Sequence, residues 1–291
     1  MMRDTYEKWL ADKETARNRS HGEDFFEQER RYVEPFRIYG NVYYVGDNWV
    51  CAHLIDTGDG LLLIDAGNCG AVHLLIHAIW KMGFNPEDVK RLILSHAHVD
   101  HFGAAAFMKN MFGTKIYLGV RDGQMLQETP ELTFIQGCPD LSAELFTPDV
   151  LIRDGDVFTF GSVTMSFREV PGHTAGCITC FFDGAENGVV KRFGYFGGFD
   201  FNTIGKEMLL ECGDPTFYRR QEFMESLKKV EDEPVDIFLG NHTRNNQLME
   251  KRARMLNGAD RNPFIDPNEW KAYMQETQKK LQKFMDDPKN N

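Results

Sequence analysis

The stretch "RLILSHAHVDHFGAAAF", residues 91–107, sets three histidines and an aspartate within six positions, directly after an apolar run. His96 and His98 stand two apart, just beyond the strand-like "RLILS". In an extended segment, residues two apart project to the same side, so both imidazoles can reach one ion. Asp100 and His101 continue into the next turn, where the chain reverses toward a helix, and so aim at a neighbouring point. One ion takes about four ligands, and a catalytic zinc keeps one position for water. This segment leaves the first ion at least one ligand short.

Two further histidines follow strands in the second half. "FREVPGHTAG" presents His173 in a glycine-flanked turn, and "VDIFLGNHTRN" presents His242 in the same context. Loops at strand ends are where a rigid sheet holds functional groups. Six ligands then divide into three imidazoles for one ion, and Asp100, His101 and His242 for a second. The histidines His21, His53, His73 and His77 read as ordinary core or surface residues. His73 and His77 are four apart on a helix that lacks an adjacent acid. Cys177 and Cys180 in "GCITCFFD" lie in a strand-like run where positions three apart face opposite sides. They read as buried core thiols.

Around this segment, strand-like and helical runs alternate. "FRIYGNVYYVG", "VCAHLIDTG" and "GLLLIDAG" are strands punctuated by turn signals. "CGAVHLLIHAIWKMGF" has helical spacing and a C-terminal glycine, Gly83. "GAAAFMKNMFG" is a helix and "KIYLG" a strand. "DVFTFGSVTMSFREVPG", "ITCFFDG", "VVKRFGYFGG" and "VDIFLGNH" add strands to the second half, with helices at "PTFYRRQEFMESLKKVED", "NNQLMEKRARMLNG" and "PNEWKAYMQETQKKLQKFMDD". The mixed segment "LGVRDGQMLQETPELTFIQGCPDL" reads as a long connection that could line a pocket. Two units are expected: an N-terminal helical extension over 1–32, and one domain over 33–291 with two sheets flanked by helices.

The net charge is −11, from 33 basic against 44 acidic residues, with no basic block. No nucleic-acid partner is expected, because phosphate neutralisation needs clustered Lys and Arg. No window approaches a membrane span, and the charged start has no apolar signal region. Six cysteines (Cys51, Cys69, Cys138, Cys177, Cys180, Cys212) have no framework spacing, so reduced thiols and a cytoplasmic location are expected. Aromatic residues at both ends (Phe25, Phe26, Tyr32, Phe264, Trp270) could cover a cleft or form a homo-oligomer contact. Packing on the domain's own surface is the favoured expectation.

"SHAHVDH" resembles the His-x-His-x-Asp-His signature of the metallo-β-lactamase superfamily, and the resemblance extends over roughly residues 36–245. "VYYVGDN…AHLIDTGDGLLLIDAG" is similar to its opening strands with their terminal aspartate, here Asp65. "VPGHTAGC" is similar to its third-histidine turn. The resemblance implies an α/β (α+β) fold, the four-layer αββα sandwich, with the site at one edge between the sheets. The pattern looks like subclass B3 of the lactamases. It implies that His96, His98 and His173 hold a first Zn2+, that Asp100, His101 and His242 hold a second, and that Asp65 supports the ligand loop from behind. Glyoxalase-type members bridge their metals with an aspartate near "GYFGGFD". The expected position falls here on Gly197 or Gly198, with Asp200 the nearest acid. In the lactamases this region binds the drug carboxylate, so Gly198 and Asp200 become candidate substrate-pocket residues. Asp200 facing a carboxylate would be repulsive unless screened.

Two zinc ions lower the pKa of a shared water from ~15.7 toward ~7, providing hydroxide at neutral pH. The expected activity is therefore metal-dependent hydrolysis of an acyl bond (lactam, lactone, ester or thioester) in a small molecule, with Asp100 orienting the hydroxide. A true B3-type β-lactamase is one alternative. A mononuclear iron persulfide-dioxygenase-like oxidoreductase is another, and the complete second ligand set counts against it.

Overall fold

The computed structural model describes residues 28–137 and 144–290. Most of the expected N-terminal extension lies outside them, as do His21, Phe25, Phe26 and Cys138. By Arg31 the chain packs on the domain. Arg31 pairs with the buried Asp47 at 3.1 Å, and Val33 is buried.

The apolar runs fold as strands. β1 (Phe36–Tyr39), β2 (Val42–Tyr44), β3 (His53–Asp56), β4 (Leu61–Ile64), β5 (Val89–Ile93), β6 (Lys115–Gly119) and β7 (Val150–Ile152) lie side by side in chain order. The first four pair antiparallel, and β4 to β7 pair parallel. β4 is buried along its whole length, as a parallel strand covered on both faces must be. A second sheet has the order β12-β11-β10-β9-β8. It comprises β8 (Val157–Phe160), β9 (Val163–Glu169), β10 (Ile178–Glu186), β11 (Val189–Phe196) and β12 (Ile237–Leu239).

The helices among the described residues are α1 (Gln28–Arg31), α2 (Val72–Lys81), α3 (Val99–Phe102), α4 (Ala105–Phe112), α5 (Val120–Glu128), α6 (Lys206–Glu211), α7 (Tyr218–Val230), α8 (Leu248–Leu256) and α9 (Glu269–Asp286). α2 stops at Gly83, whose φ of 86° opens the left-handed turn that ends a helix.

Three apolar clusters define four layers. Leu75, Ile79, Phe102 and Met108 pack on one face of the first sheet. Ile64, Ile93, Phe167, Phe182 and Tyr195 fill the space between the sheets. Phe181, Phe196, Phe223, Leu227 and Trp270 fill the space between the second sheet and α7 and α9. This is the expected αββα sandwich. Strand alternation places Cys180 in the middle cluster and Cys177 in the outer one, both as buried free thiols. Trp270 donates its indole N–H to the Val230 carbonyl at 2.8 Å, and Phe264 is buried, so both pack within the domain.

Two expectations are corrected. The connection after β6 begins with a helix, α5, continued by short turns at Pro130–Thr133 and Ile135–Gly137. α5 buries only Asp122, Gly123 and Leu126, too few apolar positions to print a helical stripe in the sequence. Cys69 is disulfide-bonded, against the expectation of reduced thiols throughout. Pairing depends on distance after folding, which cysteine spacing along the chain does not report.

Candidate metal centre

The ends of β4, β5, β10 and β12 meet at one edge of the sandwich. Ile178 N–H donates to the Ser95 carbonyl at 3.0 Å, which joins the two sheets beside His96. Past Ser95 the chain stays extended to His98, whose φ of −91° and ψ of 146° precede α3. α3 then carries Asp100 and His101 on its first turn. The loop after β4 is stapled to this turn by Ala66 N–H to the His101 carbonyl, 2.7 Å, and Gly103 N–H to the Gly67 carbonyl, 2.8 Å. The approach needs glycine at 103, where a Cβ would stand 2.3 Å from the Asn68 backbone. His242 is carried in from the far sheet and bridges to Val50.

The three imidazoles of His96, His98 and His173 are buried, with their rings 84–88° apart in every pair and centroids 4.7–4.9 Å apart. His98 Nδ1 and His173 Nε2 stand 3.0 Å apart. His101 Nε2 lies 3.4 Å from His242 Nε2 and 3.4 Å from Asp100 Oδ2, and the last two atoms are 3.5 Å apart. Ligands about 2.0–2.2 Å from a tetrahedral zinc are separated by about 3.3–3.6 Å. The triangle of Asp100, His101 and His242 therefore has the edge length such an ion requires. Ligand-capable atoms of His96, His98 and His173 all lie within 4.8 Å of one another, as do those of His96, Asp100 and His101. His96 stands between the two sets.

The far nitrogens of four imidazoles are already engaged. His173 Nδ1–H donates to the Asp200 carbonyl at 2.9 Å, and His242 Nδ1–H to the Trp49 carbonyl at 3.1 Å. His101 Nδ1–H donates to Asp65 Oδ2 at 2.6 Å, and His96 Nδ1–H to Ser95 Oγ at 3.0 Å. Each of these bonds leaves Nε2 as a lone-pair donor aimed inward. His96 Nε2 is buried without a hydrogen-bond partner among the described residues, a costly state that a bound cation would relieve. The residues present fit a pair of divalent ions.

Burial, then the neighbouring imidazoles, holds His96 and His98 well below the usual histidine range. Burial lowers His173 as well, and pushes His242 down to about 3 against the opposing charge of Asp100. These rings are neutral, as metal ligation requires. His101 differs: burial pushes it down, but the charges of Asp100 and Asp65 carry it above its ordinary value. Those carboxylates favour a cation at that position.

Asp65 sits behind the ligands. Buried and at φ 56°, it accepts from Ser95 N–H at 2.7 Å and Ser95 Oγ–H at 2.8 Å, and from the Tyr195 hydroxyl, besides His101. Gly198 does not line the neighbouring cavity. It packs under His173, where a Cβ would meet the ring at 2.6 Å. Asp200 turns its carboxylate to Arg244, so the charge expected to repel an acidic substrate is paired. His53 is buried away from the ligand sets, with Nε2–H on the Gly240 carbonyl at 3.1 Å, and His73 and His77 are exposed.

A cavity of about 230 Å3 opens beside His98 and His173, walled by Met125, Leu132, Phe134 and Met208 with Arg121 and Arg219 among its polar residues. The Phe134 ring lies tilted against His98, with centroids 4.8 Å apart. Sequence reasoning missed Asp122, which bonds to both histidine-bearing loops. It stands three residues past the strand "KIYLG" in a polar stretch, where nothing in the sequence marks it as buried.

Two packed sheets between helices, with a histidine-rich edge, define a metal-site sandwich. The chain matches the description "Metallo-beta-lactamase superfamily" over residues 50–186. The solved structure of a subclass B3 metallo-β-lactamase of Bradyrhizobium japonicum superposes with a TM-score of 0.77 at 26% identity, covering 89% of this chain and 96% of that one. A hydroxyacylglutathione hydrolase of Haemophilus influenzae is 31% identical over 44% of this chain and 58% of its own length. One of Chelativorans is 29% identical over 68% of this chain and 62% of its own. The chain thus spans about three fifths of these two curated relatives. The chain is therefore similar to the metallo-β-lactamase superfamily over residues 50–186 and shares the fold of its solved members. No helix among the described residues is long and apolar enough to cross a membrane.

Proposed function

We propose that this chain is a metal-dependent hydrolase that cleaves an acyl bond of a small molecule. Its centre would comprise two Zn2+, one at His96, His98 and His173 and one at Asp100, His101 and His242. The observation that carries this reading is the Asp100–His101–His242 triangle, with 3.4–3.5 Å edges, set against the three-imidazole set through His96. Bound ions of this kind activate water at neutral pH and polarise a carbonyl oxygen.

The chain's own residues supply positioning. Asp65 and the carbonyls of Asp200 and Trp49 fix which imidazole nitrogen faces inward. Asp100 is the one acidic member of the ligand sets, and its side chain is 21% exposed, so it can orient a water and accept its proton. Phe134, Met125 and Leu132 form an apolar wall against which an acyl group can rest while bulk water is excluded.

The test is zinc reconstitution followed by metal analysis and a panel of β-lactams, lactones, esters and thioesters. Two zinc per chain with turnover of at least one class is expected. One iron per chain with no acyl hydrolysis would overturn the reading in favour of the oxygenase. A narrower second reading, a subclass B3-type β-lactamase, gains from the Arg244–Asp200 pair, which removes the repulsion against a drug carboxylate. Rapid nitrocefin turnover would select it.

A further inference from the structure

We propose that Asp122 is a positioning residue that fixes the gap between the His96–His98 segment and the His173 turn, and so sets the ion affinity of the three-imidazole set. The inference rests on that set holding an ion, as proposed above. Asp122 lies on α5, is fully buried, and touches none of the candidate ligands' nitrogens. Its Oδ2 accepts Ala97 N–H and Thr174 Oγ1–H, each at 2.8 Å, and its Oδ1 accepts Gly176 N–H at 2.7 Å. Ala97 is the residue between His96 and His98, and Thr174 follows His173.

One carboxylate therefore clamps two loops that the chain separates by 75 positions, and across which His98 Nδ1 and His173 Nε2 stand 3.0 Å apart. The contact is tight. A Cβ at Gly176 would come within 2.2 Å of the Asp122 backbone nitrogen. Burying a carboxylate costs several kcal/mol unless donors satisfy it, and here all three donors come from the ligand-bearing loops. A residue serving only to anchor α5 would have no reason to draw its donors from there.

Asp122→Asn keeps the shape but turns an NH2 toward the N–H of either Ala97 or Gly176, so one loop loses its backbone bond to the clamp. Ion affinity is read by competition with a chromophoric chelator, and the ligand field by Co2+ absorption. The dissociation constant at the three-imidazole set should rise by about 10–100-fold, with its Co2+ bands altered, while the second ion changes by no more than about threefold. Thr174→Val removes one of the three bonds to Asp122, along with the hydroxyl's contact to Cys177 Sγ, and should give a smaller rise at the same set. It keeps the test decisive if Asp122→Asn does not fold. Unchanged affinity in a folded variant, or equal weakening of both ions, would overturn the proposal. A wild-type chain that takes up no ion at this set would instead overturn the functional reading beneath it.

Discussion

The two proposed ligand sets are built on opposite principles. His96, His98 and His173 form a buried cage of uncharged rings, and burial and repulsion from neighbouring imidazoles keep protons off them. Asp100, His101 and His242 form a rim, with one carboxylate partly exposed and a second, Asp65, hydrogen-bonded behind His101. The cage discourages any positive charge that is not a well-coordinated ion. The rim invites one, since the net effect of its carboxylates is to raise His101.

The largest effect expected from this contrast is at His96, which lies within ligand distance of both sets. His96→Ala should lower metal content by at least one ion and turnover on the order of 10^3-fold or more, the scale of losing a metal-activated water. His242→Ala should cost only the rim ion, leaving one zinc per chain by atomic absorption. If His242→Ala empties both sites, the two sets are one cooperative unit and the contrast is broken.

Asp65 sharpens the same comparison at smaller scale. It reaches the rim directly through His101 and the cage only through Ser95. Asparagine tolerates the left-handed backbone at position 65, so Asp65→Asn should fold. The rim ion should weaken by about 10–100-fold, the usual cost of losing an outer carboxylate, and the cage ion by less. Chelator competition reads both, and a greater loss at the cage would reverse the assignment.

The cage segment and both distant histidines were legible because ligand chemistry is written as residue type after a strand. The sheets were legible because buried parallel strands such as Leu61–Ile64 are continuous apolar runs. What failed to print was context. Asp122 looks like any surface acid in "GVRDGQ", and only its burial against Ala97, Thr174 and Gly176 makes it a clamp. Gly198 was read as pocket lining, because a sequence does not say which face a glycine offers; the structure presses it on the His173 ring. Whether the Asp200 charge is screened was left open, because its partner Arg244 lies 44 positions away. The disulfide at Cys69 was hidden because cysteine spacing does not report which thiols meet after folding.

The smallest expected effect isolates burial from mutual repulsion. His53 is as buried as the cage, but its partner is the Gly240 carbonyl and its ring lies edge-on to Tyr44 and Tyr195. Burial alone pulls it down to about 4, against the Gly240 hydrogen bond and the charge of Asp65. In the unfolded chain a histidine titrates near ~6.5, so between about pH 6.5 and 4 the unfolded state binds the proton and the folded state does not. Stability must then fall with pH across that window and level off below it, once the folded state is protonated too. His53→Phe keeps an aromatic ring but removes the titration. In zinc-depleted protein, its stability deficit against wild type should shrink by about 1–2 kcal/mol between pH 7 and pH 5, measured by urea unfolding. The cage histidines titrate alike in both proteins and cancel in this difference. Parallel pH curves would mean that His53 takes up a proton as readily folded as unfolded, and that burial alone does not hold a histidine neutral in this core.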